Sequence, residues 1–269
     1  MTRPVAVITG GSSGIGRGLV LKYAKEGYDV VFTGRNEERM TEVENELKNL
    51  GSDNYLGLRL DAASKAANQE MVDKTIEAFG RIDVLVCNAG VSMRALFSDL
   101  DLEIFEQVMN INFYGALYAT KFALPHILKS KGSIIAISSI NGWRGTPART
   151  AYTASKFAMQ GFYEALRTEV MKQGVHVLVV CPAFTGTNIR NNALSADGSV
   201  QGESPRDESK MMSTEDVAAK IFKAMKKRKR DRVLSLYGWL TIFLNKWMPG
   251  RMDTIVYNVL KKEPGSPFK

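Results

Sequence analysis

Cysteine and histidine are scarce in this 269-residue chain, with two of each. Cys87 and Cys181 stand far apart, outside any Cys-x-x-Cys spacing, and each closes an apolar run ("IDVLVC", "VHVLVVC"). They read as buried free thiols of a reducing compartment, which argues against a disulfide framework. His126 and His176 have no neighbours at ligand spacing, so no metal site is expected. No apolar run reaches the roughly 20 residues of a membrane-spanning helix. The opening "MTRPVAVITGG" passes almost at once into an apolar strand and shows no signal-peptide pattern, which sets the expectation of a cytoplasmic protein.

What is present looks globular. Hydrophobic residues make up 45% and charged residues 24% of the chain, close to the average for a folded domain, so wholesale disorder is excluded. The length fits one large α/β domain or two small ones. The net charge of +8 is regional: between Lys220 and Lys262 twelve Lys or Arg face only Asp231 and Asp253, and the remainder of the chain is slightly acidic.

Short apolar runs alternate with longer helical patterns. The runs are "VAVIT" (5–9), "DVVFT" (29–33), "YLGLRL" (55–60), "IDVLVC" (82–87), "SIIAIS" (133–138), "VHVLVV" (175–180) and "RVLSL" (232–236). Most are continuously apolar, as strands buried on both faces of a parallel sheet are. Amphipathic segments near 15–26, 36–50, 65–79, 101–129, 151–173 and 214–229 separate them. Repeated β-α units predict a doubly wound, seven-stranded parallel sheet with helices on both faces. No linker divides the chain. Residues 1–236 read as one cofactor-binding and catalytic domain, and 237–269 as a helical extension. The Ser/Gly/Asp/Glu-rich stretch within 188–213 reads as a substrate lid, because ligands of open α/β sheets bind at the carboxyl ends of the strands.

"VAVITGGSSGIGRGL" is a strand, a glycine turn and a helix start. Gly10, Gly14 and Gly16 permit close backbone approach, and the helix N-terminus offers amides and a positive dipole end to a pyrophosphate. No Gly-Lys-Ser/Thr follows, so a P-loop is excluded. This is the fingerprint of a Rossmann fold. The second strand ends in Gly34, Arg35 and Asn36, without the carboxylate that would bind the ribose hydroxyls of NAD. A guanidinium there favours a 2′-phosphate, hence NADP(H). Arg17 is a second candidate for phosphate contact. Asp61 suits either the adenine amine or a helix N-cap.

"AYTASKFA" places Tyr152 and Lys156 one helical turn apart. A free tyrosine titrates near ~10, and a neighbouring cation would lower that toward neutrality. Ser138 and Ser139 end the fifth strand, where a hydroxyl can hold a substrate oxygen beside the tyrosine. Asn112 interrupts an apolar helical pattern, either as a satisfied core amide or as part of a proton path.

With "TGGSSGIG" (9–16), "CNAG" (87–90), "NINFYG" (110–115), "YTASK" (152–156) and "CPAFTGT" (181–187), the chain resembles the short-chain dehydrogenase/reductase family over nearly its whole length. The resemblance implies Asn112, Ser139, Tyr152 and Lys156 as the catalytic set. Tyr152 would be the general acid/base and Ser139 would polarise the carbonyl. Lys156 would lower the tyrosine pKa and bind the nicotinamide ribose, and Asn112 would hold a relay water. It also implies cofactor contacts from Gly10, Ser12, Ser13, Gly14, Ile15, Gly16, Arg35, Asn36, Asp61, Asn88, Ala89, Gly90, Pro182, Thr185 and Thr187, besides Tyr152 and Lys156. Cys87, Ala183 and Thr185 depart from the family's usual Asn, Gly and Val/Ile.

Met93, Trp143, Phe184 and Ile189 make an apolar substrate lining, with Pro147 nearby. Arg94 and Arg144 suit either an acidic headgroup or a solvated rim. Regionally the chain looks most like the branch that reduces lipophilic ketones, such as 3-ketosphinganine and 11β-hydroxysteroid substrates. The expected activity is NADPH-dependent reduction of such a ketone. The alternatives are a 3-oxoacyl carrier-protein reductase or a non-catalytic NADP(H)-binding regulator. A homodimer or homotetramer is the family tendency. The tail "KKRKRDRVLSLYGWLTIFLNKWMPGR" (226–251) has the charge of a nucleic-acid patch but no supporting motif. Its apolar part, about 20 Å long as a helix, is too short to span a bilayer. Two compatible readings remain for 226–262: packing over the pocket or a second subunit, and peripheral contact with an anionic membrane through an aromatic helix ringed by cations.

Overall fold

In the computed structural model, residues 3–187, 189–202 and 211–268 are described. Seven strands, Val5–Ile8 (β1), Asp29–Gly34 (β2), Tyr55–Arg59 (β3), Val84–Cys87 (β4), Ser133–Ile137 (β5), His176–Cys181 (β6) and Asp231–Val233 (β7), form one sheet in the order β3-β2-β1-β4-β5-β6-β7. Every pairing is parallel, for example Val7 with Val31 and Leu85. The apolar runs therefore mark buried strands, as expected. The order reverses between β1 and β4, which opens a crevice at their carboxyl ends.

Six helical segments cover the sheet: Gly14–Lys25 (α1), Glu37–Asn49 (α2), Lys65–Phe79 (α3), Leu102–Met109 (α4) running into Gly115–Ser130 (α5), Thr150–Val170 (α6) and Thr214–Lys226 (α7). Alternate strand residues feed two cores. Ala6, Ile8, Val30, Phe32 and Val180 face α1, α2 and α7, while Val5, Val7, Val31, Ile134 and Val179 face α3, α5 and α6. The expected single helix over 101–129 is broken at Asn110–Tyr114 by a π-helical turn that joins α4 to α5. Such turns recur at functional sites, and the polar interruption at Asn112 was its trace in the sequence.

Of the lid expected over 188–213, residues 203–210 and Asn188 lie outside the described residues. Part of the rest is tied down: Leu194 bridges to Met93, and its amide donates to the Ser92 carbonyl at 2.9 Å. Beyond β7 come Leu236–Trp247 (α8) and Pro249–Lys261 (α9), so Pro249 and Gly250 do end one helix and open the next.

The basic run at 226–230 and the aromatic helix do not form one surface; of the expected cation ring, Lys246, Arg251, Lys261 and Lys262 are the members carried by α8–α9. Residues 226–230 close α7 at the amino ends of the strands, where Lys229 and Arg228 meet His176 and Gly174. Helix α8 starts after β7, roughly 10 Å further along the edge strand. The short β7 separates the 226–230 run from the aromatics.

Close helix packing constrains the amino-terminal half. A Cβ on Gly18 of α1 would lie 2.8 Å from the Thr214 carbonyl oxygen at the start of α7. Gly18→Ala should wedge the two helices apart and cost about 1–3 kcal/mol, read from the urea unfolding midpoint at unchanged m-value.

Candidate active site

The β1–α1 turn is built by exclusion of side chains. Gly10 and Gly14 have φ of +65° and +53°, the left-handed region that glycine enters freely. A Cβ on Gly10 would lie 2.8 Å from Ala89 Cα, and one on Gly16 would lie 2.1 Å from the Gly10 carbonyl oxygen. Asn88 clamps the turn, its Nδ2 donating to the Thr9 and Gly10 carbonyls at 3.0 Å each. The Thr9 hydroxyl accepts from the amides of Asn88 and Ala89 at 3.0 and 3.1 Å. The Asn88 side chain thus serves the cradle rather than lining it. Gly90 packs on Asn112, a Cβ there falling 3.1 Å from Oδ1.

Ser13 occupies the N-cap of α1 without capping it, and the first turn carries no acid, so the first amides are open to an anion. Ile15 packs on the core, and Ser12 fills the space that a side chain at Gly34 would take. Arg35 is exposed directly after β2 and lines a cleft of about 250 Å³ with Asp61, Ala63, Glu106, Asn110 and Ile111. Asp61 Oδ1 accepts from the Ala63 amide at 3.0 Å, and the N-cap of α3 is Ser64, not Asp61. Asn36 is occupied as the N-cap of α2, accepting from the Arg39 amide at 2.8 Å. Arg17 is turned to Glu46, 3.2 Å from Nε to Oε1, which withdraws it as a phosphate contact. Glycine turn, open helix end and arginine-edged cleft together fit a dinucleotide. Thr187 faces Gly14 across the turn, whereas Thr185 is buried and donates to the Ala183 carbonyl at 2.9 Å. Pro182 is half-buried just past β6.

Ser139 follows β5, and its hydroxyl accepts from the Asn141 amide at 3.2 Å and hydrogen-bonds the Tyr152 phenol. Lys156 Nζ stands 5.7 Å from the Tyr152 ring centroid and donates to the Ile137 carbonyl at 2.9 Å. Asn112 is wholly buried. Its Oδ1 accepts from the Val91 amide at 2.8 Å, and its Nδ2 donates to the Val91 carbonyl and Ser155 Oγ at 2.9 Å each. Ser155 in turn donates to the Tyr152 carbonyl at 2.7 Å. Asn112 is therefore a satisfied core amide, joined through Ser155 to the backbone of Tyr152. The fold brings all four expected catalytic residues together. Ser155, three residues after Tyr152 on the same helix, went unread; its spacing was the available signal.

The electrostatics correct one expectation. Burial pushes the Tyr152 phenol up; its hydrogen bond with Ser139 and the charges of Arg149 and Arg190 only partly offset this. Lys156 is not among the groups that bring the tyrosine down, and burial drives its own pKa down to about 8. Arg149, also unread in the sequence, donates to Ser92 Oγ at 3.0 Å and so ties the loop before α6 to the loop after β4.

On the substrate side, Met93 is fully buried in a small core with Leu100, Val108 and Leu194, which removes it from the lining. Trp143 hydrogen-bonds the Cys181 thiol, while Phe184 is exposed with its ring 6.4 Å from Tyr237. Ile189 is half-buried. Arg94 and Arg144 do not form a solvated rim: their side chains are 7% and 15% exposed and are held by the C-terminal extension. Among the described residues no cluster of three His, Cys, Asp or Glu could hold a metal, and no helix is long and apolar enough to cross a membrane.

Comparison with known proteins converges on one family. The short chain dehydrogenase family matches residues 4–198. Dehydrogenase/reductase SDR family member 7B of Mus musculus is 33% identical over 264 residues, covering 96% of this chain and 82% of the relative. 11-beta-hydroxysteroid dehydrogenase A of Arachis hypogaea is 32% identical over 272 residues, covering 98% and 77%. In fold, the chain is similar to a Burkholderia phymatum short chain dehydrogenase/reductase solved in complex with NAD, with a TM-score of 0.82 at 24% identity over 100% of this chain and 98% of that one. It is also similar to a Thermococcus sibiricus alcohol dehydrogenase complexed with 5-hydroxy-NADP, with a TM-score of 0.75 at 24% identity over 87% and 96%.

The depressed Lys156 pKa has a measurable consequence. Between pH 8 and pH 9 the unfolded chain keeps a lysine proton that the folded chain is releasing, so stability should rise with pH in that window. Relative to Lys156→Met, the cofactor-free wild type should gain about 1 kcal/mol across it in urea titrations. A flat difference would mean that Lys156 stays charged.

Proposed function

The chain belongs to the short-chain dehydrogenase family, and from that premise we propose that it reduces a lipophilic ketone to a secondary alcohol with NADPH. The observation that carries the reading is the half-buried Tyr152 beside Ser139, with Lys156 one turn away and its Nζ 5.7 Å from the tyrosine ring. When bound, the nicotinamide supplies the hydride. The chain's own residues do the rest. The Ser139 hydroxyl donates to the substrate oxygen and polarises the carbonyl. Tyr152, kept protonated at neutral pH by its burial, donates its proton to that oxygen as charge develops there. Lys156, near its own titration point, returns the proton, and Asn112 with Ser155 holds the Tyr152 backbone in register.

NADP(H) is favoured over NAD because no carboxylate ends β2 and because the exposed Arg35 follows it directly. A lipophilic substrate is favoured by the apolar Trp143, Phe184 and Ile189 and by the aromatic extension. Peripheral contact of 226–262 with an anionic membrane is supported by the exposure of Trp239, Phe243 and Trp247 on α8. A homodimer or homotetramer on α4 to α6 would cover Leu102, Tyr114 and Phe157.

A panel of 3-ketosphinganine, steroid ketones and β-ketoacyl thioesters, followed by NADPH oxidation, tests the reading. Turnover of the first two classes is expected; turnover of the thioesters alone would make it a carrier-protein reductase. Tyr152→Phe should lower kcat by at least ~100-fold with NADPH affinity unchanged. Arg35→Ala should weaken NADPH binding by about 10- to 100-fold and leave NADH binding unaltered, measured by fluorescence titration.

A further inference from the structure

The α8–α9 extension is poorly supplied with buried apolar surface. From Leu236 to Lys261 only Gly238, Thr241 and Met252 are buried, whereas Leu236, Trp239, Leu240, Phe243, Trp247 and Ile255 are exposed. Hydrophobic packing therefore does little to fix its position. Polar contacts do. Arg144 donates through Nη1 to Asn245 Oδ1 at 3.2 Å and through Nη2 to Asp253 Oδ1 at 2.6 Å, gripping both helices at once. Asn245 Nδ2 donates to the Trp143 carbonyl at 3.2 Å. Arg94 Nη2 donates to the Pro264 carbonyl at 3.0 Å and pairs with Glu263 at 3.9 Å.

The partners of the extension sit on three loops from the carboxyl ends of neighbouring strands. Arg94 follows β4, Arg144 lies between Ser139 and Tyr152 after β5, and Phe184, against Tyr237, follows β6. Gly238 packs so closely on Ile140, next to Ser139, that a Cβ there would fall 2.8 Å from Ile140 Cδ1. The extension thus spans the edge of the sheet at which open α/β sheets bind their ligands.

We propose that Arg144 and Arg94 are positioning residues that latch α8–α9 across this edge, making the extension the outer wall that sets which ketones reach Tyr152. The specificity role rests on the reductase reading given above; the latch does not. Arg144–Asp253 is an exposed pair, with Asp253 70% accessible, and exposed pairs are weak. It is suited to yield when a bulky substrate enters and to re-form behind it. Arg94–Glu263, with side chains 7% and 10% exposed, is the firmer anchor at the far end.

The test compares Asp253→Asn, Arg144→Gln and the charge swap Arg144→Asp with Asp253→Arg in the full chain. By hydrogen exchange, amides of 236–261 should exchange about ten-fold faster in both single variants, with the sheet amides unchanged and the swap restoring protection. KM for a steroid or long-chain ketone should rise about 5- to 20-fold, while kcat and KM for a small cyclic ketone and KM for NADPH stay put. The swap should bring the bulky-ketone KM back. Unchanged exchange in the extension, failure of the swap, or equal impairment of bulky and small ketones overturns the proposal. If the wild type reduces no ketone, the specificity role falls with the reductase reading, while exchange and swap still decide whether the ion pair holds the extension.

Discussion

The whole site depends on how closely β1 and β4 are drawn together at their carboxyl ends. The Asn88 amide reaches across to two successive carbonyls, Thr9 and Gly10, and the Thr9 hydroxyl answers by accepting two amides from the other strand. Four hydrogen bonds in a few ångströms leave no room for a Cβ at Gly10 or Gly16. The turn that results directs the start of α1 outward with its amides uncapped. A cradle made this way is preorganised, since the groups that would bind a pyrophosphate are oriented by bonds that exist without it.

A second constraint governs the chemistry. Burial raises the Tyr152 phenol above its ordinary value and lowers the Lys156 ammonium to about 8, so two groups that titrate close together in water are driven apart. Lys156 is then the stronger acid of the two, so a proton passes downhill from its ammonium to a Tyr152 phenolate. Such a pair suits proton delivery better than a permanently ionised phenolate beside a fixed cation would. The burial that does this comes from ordinary core packing of α6 against β5, with Lys156 Nζ satisfied by the Ile137 carbonyl.

Local information was well written in the sequence. Apolar runs located all seven strands, and the doubly wound topology followed from their alternation with amphipathic segments. Glycines at 10, 14 and 16 and the Tyr152–Lys156 spacing placed the two halves of the site. What escaped depends on contacts remote in sequence. Arg144 and Asp253 are 109 residues apart, and nothing near either shows that they meet. The adjacency of "KKRKR" to the aromatic stretch suggested one surface, but three residues of strand carry the chain from one edge of the sheet to the other. Met93 looked like a pocket residue by its neighbours, yet its bridge to Leu194 turns it into a small core. Asn36 and Asn88, which the resemblance implied as cofactor contacts, also serve the backbone, Asn36 capping α2 and Asn88 holding the glycine turn.

The placement of β7 also divides the C-terminal cations between two edges of the sheet. The cations of 226–230 project from the amino edge of the sheet, while the exposed rings of α8 stand at the carboxyl edge beside the catalytic loops. Coulomb attraction acts over about a Debye length, roughly 8 Å in physiological salt, whereas apolar burial acts only on contact. For a negatively charged surface, attraction therefore comes from both edges, from 226–230 and from the exposed Lys246, Arg251, Lys261 and Lys262 of the extension, while apolar contact comes from the α8 rings. Only the carboxyl edge offers both forces at once, and ionic strength shifts the balance between the two orientations.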